Sequence, residues 1–172
     1  MSTTIKSERS PRKVLQSPLS YFVTLYTRSE VSYFGHIRDN NLNLLPAGKI
    51  AEMVIHSVPS VFDEDFVVQS VIMPNHIHLL LAAGDSITSV RKKIRGLKSA
   101  IKILANMCGQ ELHWKATHQV YHIKDVKDLE RFKWYTLINA SIWKSDSLNR
   151  EKPLLLYPKS MQELRDWIAR MQ

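Results

Sequence analysis

Two histidines one residue apart, His76 and His78, open an otherwise apolar run, Met73-Pro74-Asn75-His76-Ile77-His78-Leu79-Leu80-Leu81. Side chains alternate along a strand, so His76, His78 and Leu80 share one face and Ile77, Leu79 and Leu81 the other. Two imidazoles side by side on a sheet face can ligate one divalent ion, or hold a phosphate if protonated. Hydrogen-bonded or exposed histidines satisfy the same spacing. A second pair is Tyr135 and Asn139, four residues apart and hence one turn apart on the same face of a helix. The amide offers a neutral oxygen to a hard cation, and the phenol is a nucleophile when polarised. A core ring and an amide near a helix end account for that pair equally well. A third feature is basic: Arg91, Arg95, Lys98 and Lys102 recur at helical spacing, and no acidic residue lies between Asp85 and Glu111. One-signed charge of this kind suits phosphate contacts, against the competing reading of a solvated face. Trp114, Tyr121, Trp134, Trp143 and Trp167 could stack on unpaired bases, although core or rim packing is the plainer reading of each.

These residues need elements to position them. Tyr21 to Tyr26 is dense in aromatic and β-branched residues and reads as a strand. Residues 33–44 read as a hairpin turned by Asp39, Asn40 and Asn41. A helix follows from Pro46 to about Ser57. Phe66 to Met73 and His76 to Ala82 are two strands joined by a tight turn at Pro74-Asn75. From Ser86 to about Met107, Val90, Ile94, Leu97, Ile101 and Leu104 define a long amphipathic helix. Gln119 to Lys124 reads as a further strand, and Asp125 or Asp128 caps a last core helix running to about Ser141. The order β, hairpin, α, β, β, α, β, α predicts an α+β fold, ferredoxin-like, with a split antiparallel sheet and helices packed on one face. Residues 1–19 read as a flexible basic arm, 20–150 as the folded domain, and 151–172 as a tail with a short helix at Met161–Met171.

Composition sets outer bounds. The 172 residues are 44% hydrophobic and 23% charged, an ordinary mixture for one domain. No run approaches the roughly 20 apolar residues of a membrane span, and the N-terminus lacks a signal-peptide core, which predicts a cytoplasmic protein. The single cysteine, Cys108, excludes a disulfide framework or a thiolate-rich zinc site and reads as a semi-buried small hydrophobe at a helix end. Lys and Arg number 24 against 16 Asp and Glu, a net charge of +8 that favours a polyanionic partner.

MPNHIHLLL after a β-rich run, RGLKSA, a tryptophan before an apolar strand, and DLERFKWYTLIN together resemble the single-tyrosine HUH transposases, in particular the REP-associated tyrosine transposase branch. The resemblance runs from about Tyr21 to Asn149 and includes the segment WKSDSLN after the tyrosine. It implies that the HUH motif stands on a central strand and the nucleophilic tyrosine on a C-terminal core helix. On that reading Tyr135 is the catalytic nucleophile, and His76, His78 and Asn139 are ligands of Mg2+ or Mn2+. Lys98 and Ser99 fall in a DNA-contacting stretch, beside Arg91, Arg95 and Lys102. Departures from the family pattern are Ala140 for a proline, Lys115 for a glutamine, and Tyr121 for a strand histidine, with His122 one place later and so on the opposite strand face.

The implied activity is metal-dependent cleavage of single-stranded DNA, bearing a nearby hairpin, through a 5′-phosphotyrosine that a 3′-hydroxyl can reverse. Cutting two sites calls for two tyrosines, presented by a homodimer or by monomers in turn. The resemblance places the protein in the cytoplasm, at the nucleoid. Two alternatives stand beside it: a domesticated DNA-hairpin-binding protein that cuts weakly, and, further off, a metallohydrolase that uses the histidines with water.

Overall fold

A computed structural model describes residues 19–61, 67–83 and 86–149. The expected arm up to residue 18, the tail with its helix at 161–171, and Trp167 lie outside them. Among the described residues the order is β1 (Leu19–Thr27), β2 (Gly35–Arg38), β3 (Asn41–Leu44), α1 (Pro46–Val61), β4 (Val67–Ile72), β5 (His76–Ala83), α2 (Ile87–Met107), β6 (Trp114–Ile123) and α3 (Val126–Ile138). Strands β4-β5-β1-β6 form one sheet, antiparallel throughout, and β2-β3 is a separate hairpin. The hairpin turn is two residues, Asp39 and Asn40, both with positive φ, as the side chains that tolerate that region lead one to expect.

The sheet is covered on both faces, which corrects the expectation of helices on one. Tyr21, Val23 and Leu25 of β1 and Ile77, Leu79 and Leu81 of β5 form a first core with Ala51 and Ile55 of α1 and Val90, Ile94, Leu97 and Ile101 of α2. Phe22 and Leu80, pointing the other way, form a second core with Leu129 and Tyr135 of α3 and with Ile142. Burial on both faces explains why β5 continues as three leucines instead of alternating apolar with polar. Each is fully buried and contributes about 1.5–3 kcal/mol. Near one end of the central strands this apolar interior gives way to buried polar side chains, among them Thr24, Thr27, Asn75, His76 and His78.

Local chemistry sets the helix ends. Ser86 accepts from the Ser89 N–H to start α2, and Gly109, with φ of +71°, turns the chain beyond Cys108. Cys108 is exposed, not semi-buried, because it caps the end of α2 among exposed neighbours from Asn106 to Gly109. Asp125 caps α3 by accepting from the Asp128 N–H at 2.8 Å. Strand β6 begins at Trp114, five residues before the expected start. It is an edge strand paired only with β1, so Lys115, Ala116 and Thr117 face solvent and blur the apolar alternation.

Candidate active site

His76 and His78 stand at the start of β5, a central strand, with both rings buried. Their environment comes from neighbouring segments. Thr24 is the registered partner of His78 across β1, and its Oγ1 lies 2.9 Å from His78 Nδ1. Phe22 stacks on His78 with ring centroids 5.0 Å apart and in turn on Phe132 of α3 at 4.3 Å. Asn75 Oδ1 lies 2.9 Å from His76 Nδ1. The Asn75 amide nitrogen donates to the carbonyls of Glu30 and Leu148, so the oxygen must face His76. An amide oxygen only accepts, so His76 carries its proton on Nδ1 and presents a lone pair at Nε2.

The two Nε2 atoms face each other at 3.0 Å. Burial, and then the neighbouring His78, hold the His76 pKa well below its usual value, and burial lowers that of His78 to about 3. Both rings are therefore neutral at pH 7. Neutral imidazoles do not attract phosphate by charge, and they have the protonation state that metal ligation requires.

Tyr135 is buried on α3, its ring 5.2 Å from that of His78 and inclined at 67°. Asn139 follows the last helical residue, one turn beyond Tyr135 and fully buried, with neither amide atom hydrogen-bonded. Ala140 does not prolong the helix. The chain turns from Ile138, where the Ile142 N–H donates to the Ile138 carbonyl, and passes through a short 3-10 helix at Trp143–Ser145. This path brings Trp143 beside His76, with centroids 5.9 Å apart, and places the buried Asp146 Oδ2 3.9 Å from His76 Nε2. Because His76 is neutral, that approach is not an ion pair. Burial raises the Asp146 pKa to about 6, with the Leu148 N–H working against the rise.

The donors suit a divalent cation. Adjacent ligands about 2.1 Å from one octahedral ion lie about 3.0 Å apart, the spacing of the two Nε2 atoms. Buried polar atoms without a hydrogen-bond partner include Asn139 Oδ1 and Asp146 Oδ2. Among the described residues, no three His, Cys, Asp or Glu side chains have the spacing of a finished metal site. For an ion held here, an oxygen of another type, such as the Asn139 amide, or a carboxylate at longer range would complete the set.

The basic stripe is not joined to the histidines. Helix α2 packs on the other face of the sheet, and Arg91, Arg95 and Lys98 surround His118 of β6, where burial and then these cations lower the histidine pKa. Lys98 Nζ donates to the Lys115 carbonyl at 2.7 Å and lies over the Trp114 ring, while Trp114 Nε1 donates to the Lys98 carbonyl. Ser99 and Lys102 are exposed on the same helix. On β6, Tyr121 faces α3, against Phe132 and donating to Asp128, whereas His122 turns to the opposite face, against Tyr21. Trp134 is half exposed.

Sequence reasoning missed Thr24, Asn75 and Asp146 as partners of the histidines, and His118 within the basic group. Asn75 adjoins the motif and was legible only as a turn residue; the others depend on strand register or loop path.

A four-stranded antiparallel sheet carries the histidine pair on a central strand, with the helix that bears Tyr135 across it, and the class is α+β. Among solved structures the chain is similar to a REP-associated tyrosine transposase bound to a REP hairpin, with a TM-score of 0.52 and 19% identity over 82% of this chain and 71% of that one. The fold is therefore REP-associated tyrosine transposase-like. An uncharacterized protein of Haemophilus influenzae is 21% identical over 150 residues, covering 74% of this chain and 83% of that protein. No protein-family model matches the sequence. No helix among the described residues is long and apolar enough to cross a membrane.

Proposed function

We propose that the protein is a metal-dependent transposase that cleaves and rejoins single-stranded DNA beside a hairpin. One observation carries this reading: two buried, neutral imidazoles bring their Nε2 atoms within 3.0 Å of each other, and the Tyr135 ring packs against His78. The likeness of fold to a transposase seen with a REP hairpin supports the substrate class.

His76 and His78 would hold Mg2+ or Mn2+, with Asn139 supplying a neutral oxygen. When bound, the ion supplies positive charge to the non-bridging phosphate oxygens. Phe22 and Thr24 fix the plane of His78, and Asn75 that of His76, so both rings are held in place. Tyr135 Oη attacks phosphorus as the bond to the 3′ oxygen breaks. The phenol gives up its proton and the departing oxygen gains one, leaving a 5′-phosphotyrosine and a free 3′-hydroxyl. Attack by another 3′-hydroxyl reverses these changes and joins strands without ATP. Arg91, Arg95 and Lys98, with Ser99 and Lys102 beyond them, would contact the phosphate backbone from the α2 side, so the DNA would pass around the β6 edge to reach both surfaces. The action is on chromosomal DNA in the cytoplasm.

The test is an SDS-resistant adduct with labelled single-stranded oligonucleotides tiled across the DNA flanking the gene, in Mn2+, Mg2+ or EDTA. An adduct that needs metal and vanishes in Tyr135→Phe is expected. Tight hairpin binding with no adduct in either metal would support the second reading, a DNA-hairpin-binding protein, which the 5% exposure of Tyr135 favours. Turnover that survives Tyr135→Phe would point to a metallohydrolase.

A further inference from the structure

We propose that Asp146 is the charged ligand of the His76–His78 centre, its Oδ2 joining the two Nε2 atoms on one divalent cation. This rests on the reading of the two histidines as metal ligands. Three acceptor positions meet here with too few donors. His76 Nδ1–H is committed to Asn75 Oδ1, so His76 Nε2 has no proton to give. A single proton on His78 Nε2 satisfies the contact between the rings and leaves Asp146 Oδ2 still without a hydrogen-bond partner, although the residue is 3% exposed. A buried carboxylate oxygen with no donor is costly, and a shared cation is the partner that would satisfy all three atoms together.

The carboxylate is held in place. Its Oδ1 accepts from the Leu148 N–H at 2.8 Å, and its carbonyl accepts from the Asn149 N–H at 3.0 Å. Asn149 Nδ2 donates to the Trp143 carbonyl, and the Leu148 carbonyl accepts from Asn75 Nδ2, tying the loop to the residue before His76. At 3.9 Å from His76 Nε2, Oδ2 stands wider than the roughly 3.0 Å between adjacent ligands of one octahedral ion, a gap it would close by pivoting about the Oδ1 that Leu148 holds. Two imidazoles and one carboxylate form a ligand set that favours Mn2+ and its first-row neighbours over Mg2+, which keeps oxygen ligands and water.

The experiment is calorimetric titration of the full-length protein and Asp146→Asn with Mn2+ and Mg2+, together with the visible spectrum of the Co2+ form. Asparagine keeps the shape and the acceptor for Leu148. Expected are tighter Mn2+ than Mg2+ binding by the unaltered protein, a fall in Mn2+ affinity of at least about tenfold in the variant, and a changed Co2+ spectrum, which a merely structural role would not produce. Mn2+ affinity within twofold and an unchanged spectrum would overturn the assignment of Asp146 while leaving the histidine centre standing. Absence of metal binding in the unaltered protein would overturn both. Should Asp146→Asn fail to fold, infrared difference spectra of the unaltered protein, labelled with 13C at aspartate carboxylates, decide: a carboxylate band that shifts with Mn2+ is expected, and an unmoved one sinks the proposal.

Discussion

Thr24 and His78 face each other as a registered pair across β1 and β5, and the threonine Oγ1 lies 2.9 Å from His78 Nδ1. A hydroxyl can donate or accept, so this contact is compatible with either tautomer of His78. When the hydroxyl accepts, the ring proton sits on Nδ1 and Nε2 is left with a lone pair, the state a metal ligand needs.

Replacing Thr24 with valine keeps the branched shape and removes that acceptor. We expect Mn2+ affinity to fall about 10–100-fold and stability to fall by about 1–3 kcal/mol. Thr24→Ser should restore most of the affinity. Calorimetric titration and urea unfolding of the three proteins check this, and a valine variant that binds Mn2+ like the unaltered protein would remove Thr24 from the site.

Without metal, stability should fall on mild acidification. His78 is held to about 3 and His76 well below its usual value, so the folded state refuses protons that the unfolded chain accepts near 6.5. The stability tied to the neutral rings is complete above pH 6.5 and is lost progressively as the pH falls below it, for His78 down to about 3. Asp146, raised to about 6, acts in the opposite sense, taking stability away as pH rises from 3.8 to 6. Two rings outweigh one carboxyl, so the urea midpoint in EDTA should be lower at pH 5 than at pH 7. His76→Gln with His78→Gln should flatten that dependence; an equally steep profile in the double variant would assign it to other groups.

The basic group on α2 should act on DNA independently of the metal. Arg95→Ala should weaken oligonucleotide binding and reduce the slope of log K against log salt by about 0.7, with Mn2+ affinity unchanged. Fluorescence anisotropy across a range of KCl concentrations measures the slope. Should Arg91→Ala, Arg95→Ala and Lys98→Ala together leave it unaltered, the DNA path around β6 is wrong.

Much of this was legible from local pattern. The spacing of Val90, Ile94, Leu97 and Ile101 marked α2, Asp39 and Asn40 marked the hairpin turn, and the alternation in His76-Ile77-His78 put both imidazoles on one face. Periodicity and turn chemistry are properties of a few adjacent residues, so one strand of sequence suffices to show them. The early start of β6 was hidden because an edge strand exposes residues that a central strand would bury.

Tertiary structure alone decided the rest. Whether a helix packs on one face of the sheet or the other leaves no mark on the helix, since either face asks only for an apolar stripe, and α3 crossed to the face opposite α1 and α2. That crossing set Tyr135 against His78 and separated both from the basic group. Thr24 meets His78 through the register of β1 on β5, and Asp146 reaches His76 through the turn after Ile138. The sequence by itself determined which side chains could do chemistry and which elements carry them. Their convergence depended on contacts between residues tens of positions apart, which no local spacing encodes.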